Sequence, residues 1–193
     1  MDSIARAVSI LMRDGIVIYP TETVYGLGAD AFSDEAILKV FEAKKRPLAM
    51  PVSIAVADID MLNAVSHTKP WMDTFFERFL PGPVTVVLPA RNCIPPILTG
   101  GTGLIGIRIP ANPLALRLIT EFDTPITATS ANLHGAKDPV TPEECTIPRD
   151  FLIDGGRLPG TPSTVLDLTT KQILRPGADL ERVARFLREC QGA

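Results

Sequence analysis

Eight short apolar runs recur along the chain, at residues 16–19, 52–56, 84–88, 104–109, 126–129, 151–153, 165–168 and 172–174, each bounded by glycine, proline or polar residues. Runs of this kind read as strands. Helical stretches lie between several of them. One is predicted to start at Ser33, to carry Ile37, Val40 and Phe41 on one face, and to end where Arg46 meets Pro47, because the residue before a proline is pushed out of the helical region. A second is expected from Asn112, with Pro113 at its first position, and a third from Thr141, where Thr141-Pro142-Glu143-Glu144 spells a capping box. The last places Leu180, Val183, Ala184, Leu187 and Cys190 at helical spacing. The runs at 165–168 and 172–174 are too close to hold a crossover helix, so they predict an antiparallel hairpin. The expected class is therefore α/β with a mixed sheet.

With 193 residues the chain can build one substantial core but hardly two, so a single domain over 1–193 is expected. A hydrophobic content of 46%, with 18 prolines and 14 glycines, describes a turn-rich globular protein and argues against disorder. The first residues show no basic segment leading into an apolar one, and no stretch is long enough to span a bilayer, so the expected location is the cytoplasm, with no membrane partner. Cys93, Cys145 and Cys190 are odd in number, far apart and without ligand-spaced histidines, which argues against a disulfide framework and against a metal site. A net charge of −3 does not suit a protein that coats itself in nucleic acid, although a local basic groove stays open.

Chemistry gathers where strands end. Residues 19–30 pass from an apolar run to Thr21, Glu22, Thr23, Gly26 and Gly28. An extended chain here would put Thr21 and Thr23 on one side and Glu22 on the other, and the glycines would let backbone approach a ligand. A hydroxyl-capped turn is the alternative. Lys44-Lys45-Arg46 ends the first predicted helix. Cations there complement the helix dipole, but Pro47 turns the chain toward the next strand and so toward a sheet edge where α/β folds hold ligands. Arg108, inside an apolar strand, needs an anionic partner, either a structural carboxylate or a ligand. Ser130 and Asn132 at a strand exit can satisfy local backbone or bind phosphate and ribose oxygens. Ser163 and Arg175 repeat the pattern of hydroxyl and cation at strand boundaries. Gly100-Gly101-Thr102-Gly103 lacks the Gly-Lys-Ser/Thr of a phosphate loop and reads as a mobile loop, and neither a dinucleotide fingerprint nor a serine-hydrolase elbow is present.

Taken in order, Pro20-Thr21-Glu22-Thr23-Val24-Tyr25-Gly26-Leu27, Lys44-x-Arg46, Pro81-Gly82-Pro83-Val84-Thr85, Ser130-Ala131-Asn132, Ser163-Thr164-Val165 and Arg175-Pro176-Gly177 span nearly the whole chain. Together they resemble the YrdC/Sua5 family of threonylcarbamoyl-AMP synthases. The resemblance implies a twisted open mixed sheet with flanking helices. It also implies an enzyme that joins L-threonine, bicarbonate and ATP, with Mg²⁺, into threonylcarbamoyl-adenylate and releases pyrophosphate. That product feeds the t6A modification of tRNA through a downstream transferase machinery. Carried over residue by residue, the resemblance assigns Lys44, Arg46, Ser130, Asn132 and Arg175 to ATP, with Lys44 and Arg46 as the catalytic cations, and Thr23, Arg108 and Ser163 to threonine. Met50 and Ala55 depart from the family pattern and read as lost ligand contacts, and His134 stands where a serine is usual. The length resembles the short, single-domain form. A second reading makes the chain a module for double-stranded RNA or tRNA, with Lys44, Lys45, Arg46, Arg108 and Arg175 on a concave face. A third, a carbamoyl-adenylate domain of the hydrogenase-maturation type, would need acylphosphatase and zinc-finger segments that this sequence does not contain. Trp71 and Cys93 are expected to serve packing.

Overall fold

A computed structural model describes residues 2–189 of the chain. The elements, in order, are α1 (Ser3–Leu11), β1 (Val17–Tyr19), β2 (Gly26–Gly28), α2 (Asp34–Lys44), β3 (Ile54–Ala55), α3 (Ile59–Val65), α4 (Asp73–Phe79), β4 (Val84–Pro89), α5 (Pro96–Thr99), β5 (Leu104–Arg108), α6 (Pro113–Phe122), β6 (Ile126–Thr127), β7 (Thr129–Ser130), β8 (Phe151–Leu152), β9 (Thr164–Asp167), β10 (Gln172–Arg175) and α7 (Leu180–Glu189). The class is mixed α/β as expected, but the strands form two sheets where one was anticipated. One runs β7-β2-β1-β8 and the other β10-β9-β4-β5-β3-β6. Both are mixed: β4 is antiparallel to β5 and parallel to β9, while β1 is antiparallel to β2 and parallel to β8. The hairpin expected near the C-terminal end is β9-β10, antiparallel with a register shift between Ile173 and Arg175.

The run at 126–129 is where the sheets join. It reads as one strand but divides at Ala128, so that Ile126 and Thr127 pair with β3 and Thr129 and Ser130 pair with β2. The Thr127 hydroxyl donates to Leu27 O (2.9 Å) and accepts from Ala29 N (3.0 Å), tying the second sheet to the first through buried atoms. Helices cover the outer faces. Ile4, Ala7 and Leu11 of α1 share an apolar cluster with Ala115, Leu118, Ile119 and Phe122 of α6. On the larger sheet, Phe75 and Phe79 of α4 stack at 4.5 Å between centroids and meet Phe186 of α7 edge-on at 5.4 and 5.7 Å. Burying each such ring contributes roughly 1.5–3 kcal/mol. Cys190, the last position of the predicted α7 face, lies outside the described residues.

Two local expectations are corrected. The helix predicted at Thr141 is a single 3-10 turn, Pro142–Glu144, and the Thr141 side chain caps nothing. Glu144 instead accepts from Val140 N at 2.8 Å. The chain leaves the turn at Cys145 so that Cys145 and Ile147 can be buried, and Pro148 disfavours helix at the residue before it. The second correction concerns Gly26 and Gly28, which form β2 opposite Tyr19. A Cβ at either would stand 2.9–3.0 Å from the Tyr19 ring, so these glycines make room for an aromatic side chain on the neighbouring strand rather than only for a ligand.

Candidate active site

A cavity of about 310 Å³ opens between the two sheets, with Tyr19, Gly26 and Ser130 contributed by the smaller sheet and Thr85, Arg108 and Arg175 by the larger. All eight predicted site residues, Thr23, Lys44, Arg46, Arg108, Ser130, Asn132, Ser163 and Arg175, line this one cavity.

The wall built by α2 starts from its capping. Ser33 accepts from Ala36 N (3.2 Å), Asp34 and Glu35 occupy the positive end, and Lys44 sits in the last turn. Lys45 closes the helix in the left-handed region, φ 49°. That single turn of direction sets Lys44 and Arg46 into the cavity and leaves Lys45 on a separate surface groove beside Leu38 and Leu48. Lys44 is only 1% exposed. Its Nζ donates to Ser130 O, to Asn132 O (2.8 Å) and to Asn132 Oδ1 (3.0 Å), so the ammonium shapes the Ser130–Asn132 turn. Burial, and secondarily the charge of Arg46, pulls the Lys44 ammonium down to about 8. Ser130 Oγ donates to Asn132 Oδ1 (2.7 Å), and Asn132 Nδ2 donates to Ala136 O (2.6 Å) and Asp138 Oδ1 (3.1 Å). Arg46 donates to Pro51 O (2.8 Å) and to His134 Nδ1 (3.3 Å), while its Nε is buried without a partner. Burial lowers the Arg46 guanidinium from its ordinary value.

On the opposite wall Arg108 takes the first of the two partners the sequence left open. It has a structural carboxylate, with Nη2 2.6 Å from Glu22 Oε1, and it also lines the cavity. Nη1 donates to Thr23 Oγ1 (3.3 Å), and Nε is buried without a partner. The segment around Thr21 is a turn rather than an extended strand. Thr21 Oγ1 accepts from Thr23 N (3.1 Å) and Val24 N (3.2 Å), donates to Val24 O (2.7 Å), and lies 2.7 Å from Thr23 Oγ1. Arg175 donates to Ser163 O (2.8 Å) and Ser163 Oγ (3.1 Å), and Ser163 Oγ lies 2.8 Å from Thr85 Oγ1. Partial desolvation of its guanidinium against Ser163 lowers Arg175 as well, although the residue as a whole is exposed.

Sequence reasoning missed Glu22, Thr85 and Asp138 as site residues. Thr85 had a signal, since it ends the Pro81-Gly82-Pro83-Val84-Thr85 run and pairs in register with Val165 of β9. Asp138 had none. Met50 and Ala55 do not line the cavity, and Ala55 is buried in β3 between Arg108 and Ile126. The concave basic face imagined for RNA is also not formed by the five cations named for it, because Lys44 and Arg108 are 1% and 8% exposed and Lys45 faces another groove.

Fold and cavity define a small α/β protein with a cleft lined by cations and hydroxyls between two mixed sheets. The chain belongs to the Sua5/YciO/YrdC family, whose model, described as "Telomere recombination", matches residues 9–177. A threonylcarbamoyl-AMP synthase of Pyrococcus abyssi (strain GE5 / Orsay) is 38% identical over 196 residues, covering 95% of this chain and 57% of that protein. One from Shigella boydii serotype 4 (strain Sb227) is 33% identical over 186 residues, covering 91% of this chain and 96% of the relative. The crystal structure of P. abyssi Sua5 complexed with L-threonine superposes with a TM-score of 0.87 at 37% identity, covering 93% of this chain and 56% of that one. The chain thus spans little more than half the length of the Pyrococcus abyssi and Bacillus subtilis relatives, 57% and 53%.

Proposed function

We propose that this protein is a threonylcarbamoyl-AMP synthase, using ATP, L-threonine and bicarbonate and releasing pyrophosphate. The observation that carries this reading is the convergence of Lys44, Arg46, Arg108 and Arg175 on one cavity with the hydroxyls of Thr23, Ser130 and Ser163. The threonine ammonium first gives up a proton, and the free amine then attacks bicarbonate with loss of water to form the carbamate. A carbamate oxygen then bonds to the α-phosphorus as the bond from that phosphorus to the bridging oxygen breaks and pyrophosphate leaves. Such a reaction asks mainly that anions be held together and developing charge be neutralised, and fixed cations meet that demand without a histidine base.

In this reading Lys44, Arg46, Ser130, Asn132 and Arg175 hold ATP, with Lys44 and Arg46 nearest the chemistry, and Thr23, Arg108 and Ser163 hold threonine. Lys44 acts as much by shaping the Ser130–Asn132 turn as by its charge. Magnesium fits as a companion of the phosphates, since Asp138 is the one carboxylate lining the cavity among the described residues and Mg²⁺ is commonly held through phosphate oxygens, water and one or two carboxylates. When bound it neutralises phosphate charge. The adenylate would pass to enzymes that place t6A in tRNA. The reading retains a cytoplasmic protein and one catalytic domain over 1–193; no helix among the described residues is long and apolar enough to cross a membrane.

The test is pyrophosphate release by purified protein with threonine and bicarbonate omitted in turn and the nucleotide product weighed by mass spectrometry. Release should need both, and Arg46→Ala should lower kcat/KM about 100-fold, the scale of one lost oxyanion donor. Release that ignores threonine, or none at all, would refute the reading.

A further inference from the structure

The cations of the cavity are not electrically equivalent. Lys44, Arg46 and Arg175 have no carboxylate within ion-pair distance among the described residues, whereas Arg108 has Glu22 at 2.6 Å, the two side chains being 9% and 19% exposed. Glu22 is itself fixed, because its other oxygen accepts from Ala111 N (3.1 Å) in the segment just beyond β5. Thr23 bonds to Arg108, and Thr21, Thr85 and Ser163 line the same cavity, none of the four more than 5% exposed. The mouth of the cavity, by contrast, carries the exposed residues His134, Gly135, Ala136 and Arg175.

A buried cation already matched by an anion and ringed by neutral hydroxyls offers a polyanion little net charge. Arg108 still lines the cavity and can orient a carboxylate there, and the surrounding oxygens can take an ammonium or amine. Phosphate is drawn instead to the cations that have no counterion of their own. Discrimination is a difference between affinities, and an unfavourable term against the wrong ligand serves it as well as a contact with the right one.

We propose that Glu22 is the specificity-determining residue of the deep end of the cavity: by orienting Arg108 and cancelling its charge, it reserves that end for the zwitterionic amino acid and turns phosphate away. The identity of the amino acid rests on the synthase reading. Glu22 acts through Arg108 and is a positioning residue, not a catalytic one.

The test titrates inorganic phosphate and L-threonine separately, by calorimetry, into the wild type, Glu22→Gln, and the double variant Glu22→Gln/Arg108→Gln. Glu22→Gln keeps an oxygen for Arg108 but drops the charge. It should bind phosphate about tenfold more tightly and threonine about tenfold more weakly than the wild type. The double variant should lose the gain for phosphate, which a merely structural role of Glu22 would not explain. In turnover, Glu22→Gln should raise KM for threonine while KM for ATP stays within about twofold, with phosphate competing against threonine. A folded Glu22→Gln protein with wild-type affinities overturns the proposal. Ala111→Pro, at an exposed position, removes the N–H that anchors Glu22 while leaving Glu22 and Arg108 themselves in place, and it also fixes the backbone φ there. It should move the same two affinities in the same directions by a smaller factor, and unchanged affinities there overturn the proposal even if the Glu22 variants do not fold. The titrations need no turnover, so a wild type that releases no pyrophosphate would remove the synthase reading while phosphate binding still decides the role of Glu22.

Discussion

Lys44 shows how much of a side chain's behaviour is decided by where it is buried. Its ammonium is 1% exposed and spends its donors on Ser130 and Asn132, while burial lowers it to about 8 from 10.5. Because the folded value lies below the unfolded one, the unfolded chain binds more protons between those two values. Burying the charge therefore costs stability fully below about pH 8, on the order of 3 kcal/mol, and the cost disappears as pH rises toward 10.5. On the proposed function, a bound polyphosphate would restore the ammonium. At about pH 8.5, triphosphate binding by the wild type should take up a fraction of a proton, read by calorimetry in two buffers of different ionisation heat, and Lys44→Met should show none of it. Equal uptake in both proteins would place the proton elsewhere. The pairs Lys44-x-Arg46 and Ser130-x-Asn132 were legible in the sequence as cations and hydroxyls at strand and helix ends. What the sequence withheld was that Lys44 of the first pair holds the second, since its bonds cross 86 and 88 positions of chain.

Between residues and sheets, the helix and strand ends decide what faces the cavity. The cap of α2 is a left-handed Lys45, a conformation that costs a non-glycine residue roughly 1 kcal/mol. Lys45→Gly should therefore stabilise the protein by about 0.5–1 kcal/mol in thermal unfolding while leaving nucleotide affinity unchanged, because the Lys45 side chain lies outside the cavity. A drop in melting temperature would contradict this account of the cap. Every apolar run predicted as a strand contains one, and Ser33 and Asn112 cap their helices as expected. β2 escaped notice because Gly-Leu-Gly has no strand signature of its own and is a strand only because Tyr19 fills the space above it. Helices α3 and α4 have seven residues each, under two turns, too short for their apolar spacing to display a period. Thr141 failed in the other direction: the capping pattern was present, but burial of Cys145 and Ile147 drew the chain away after one turn.

At the level of the whole molecule, the unforeseen feature is that the mixed sheet is two sheets sharing a strand that changes partner at Ala128. Local spacing could indicate that 126–129 is extended, but not that its halves pair with β3 and β2, because strand order depends on contacts remote in the chain. The joint rests on the Thr127 hydroxyl and on the Asp30–Ile126 bridge. Thr127→Val keeps the shape but strands Ala29 N and Leu27 O in the interior, at about 1–3 kcal/mol for each buried group left unpaired. Since each wall of the cavity belongs partly to a different sheet, KM for ATP and for threonine should rise together in that variant. A rise in only one would mean that the sheets do not move as separate bodies. The same architecture gives a bound substrate a second office. On the proposed function, a triphosphate held by Ser130 of one sheet and Arg175 of the other would act as a rivet, and the heat resistance of the loaded protein would become a gauge of how firmly its two halves hold their cargo.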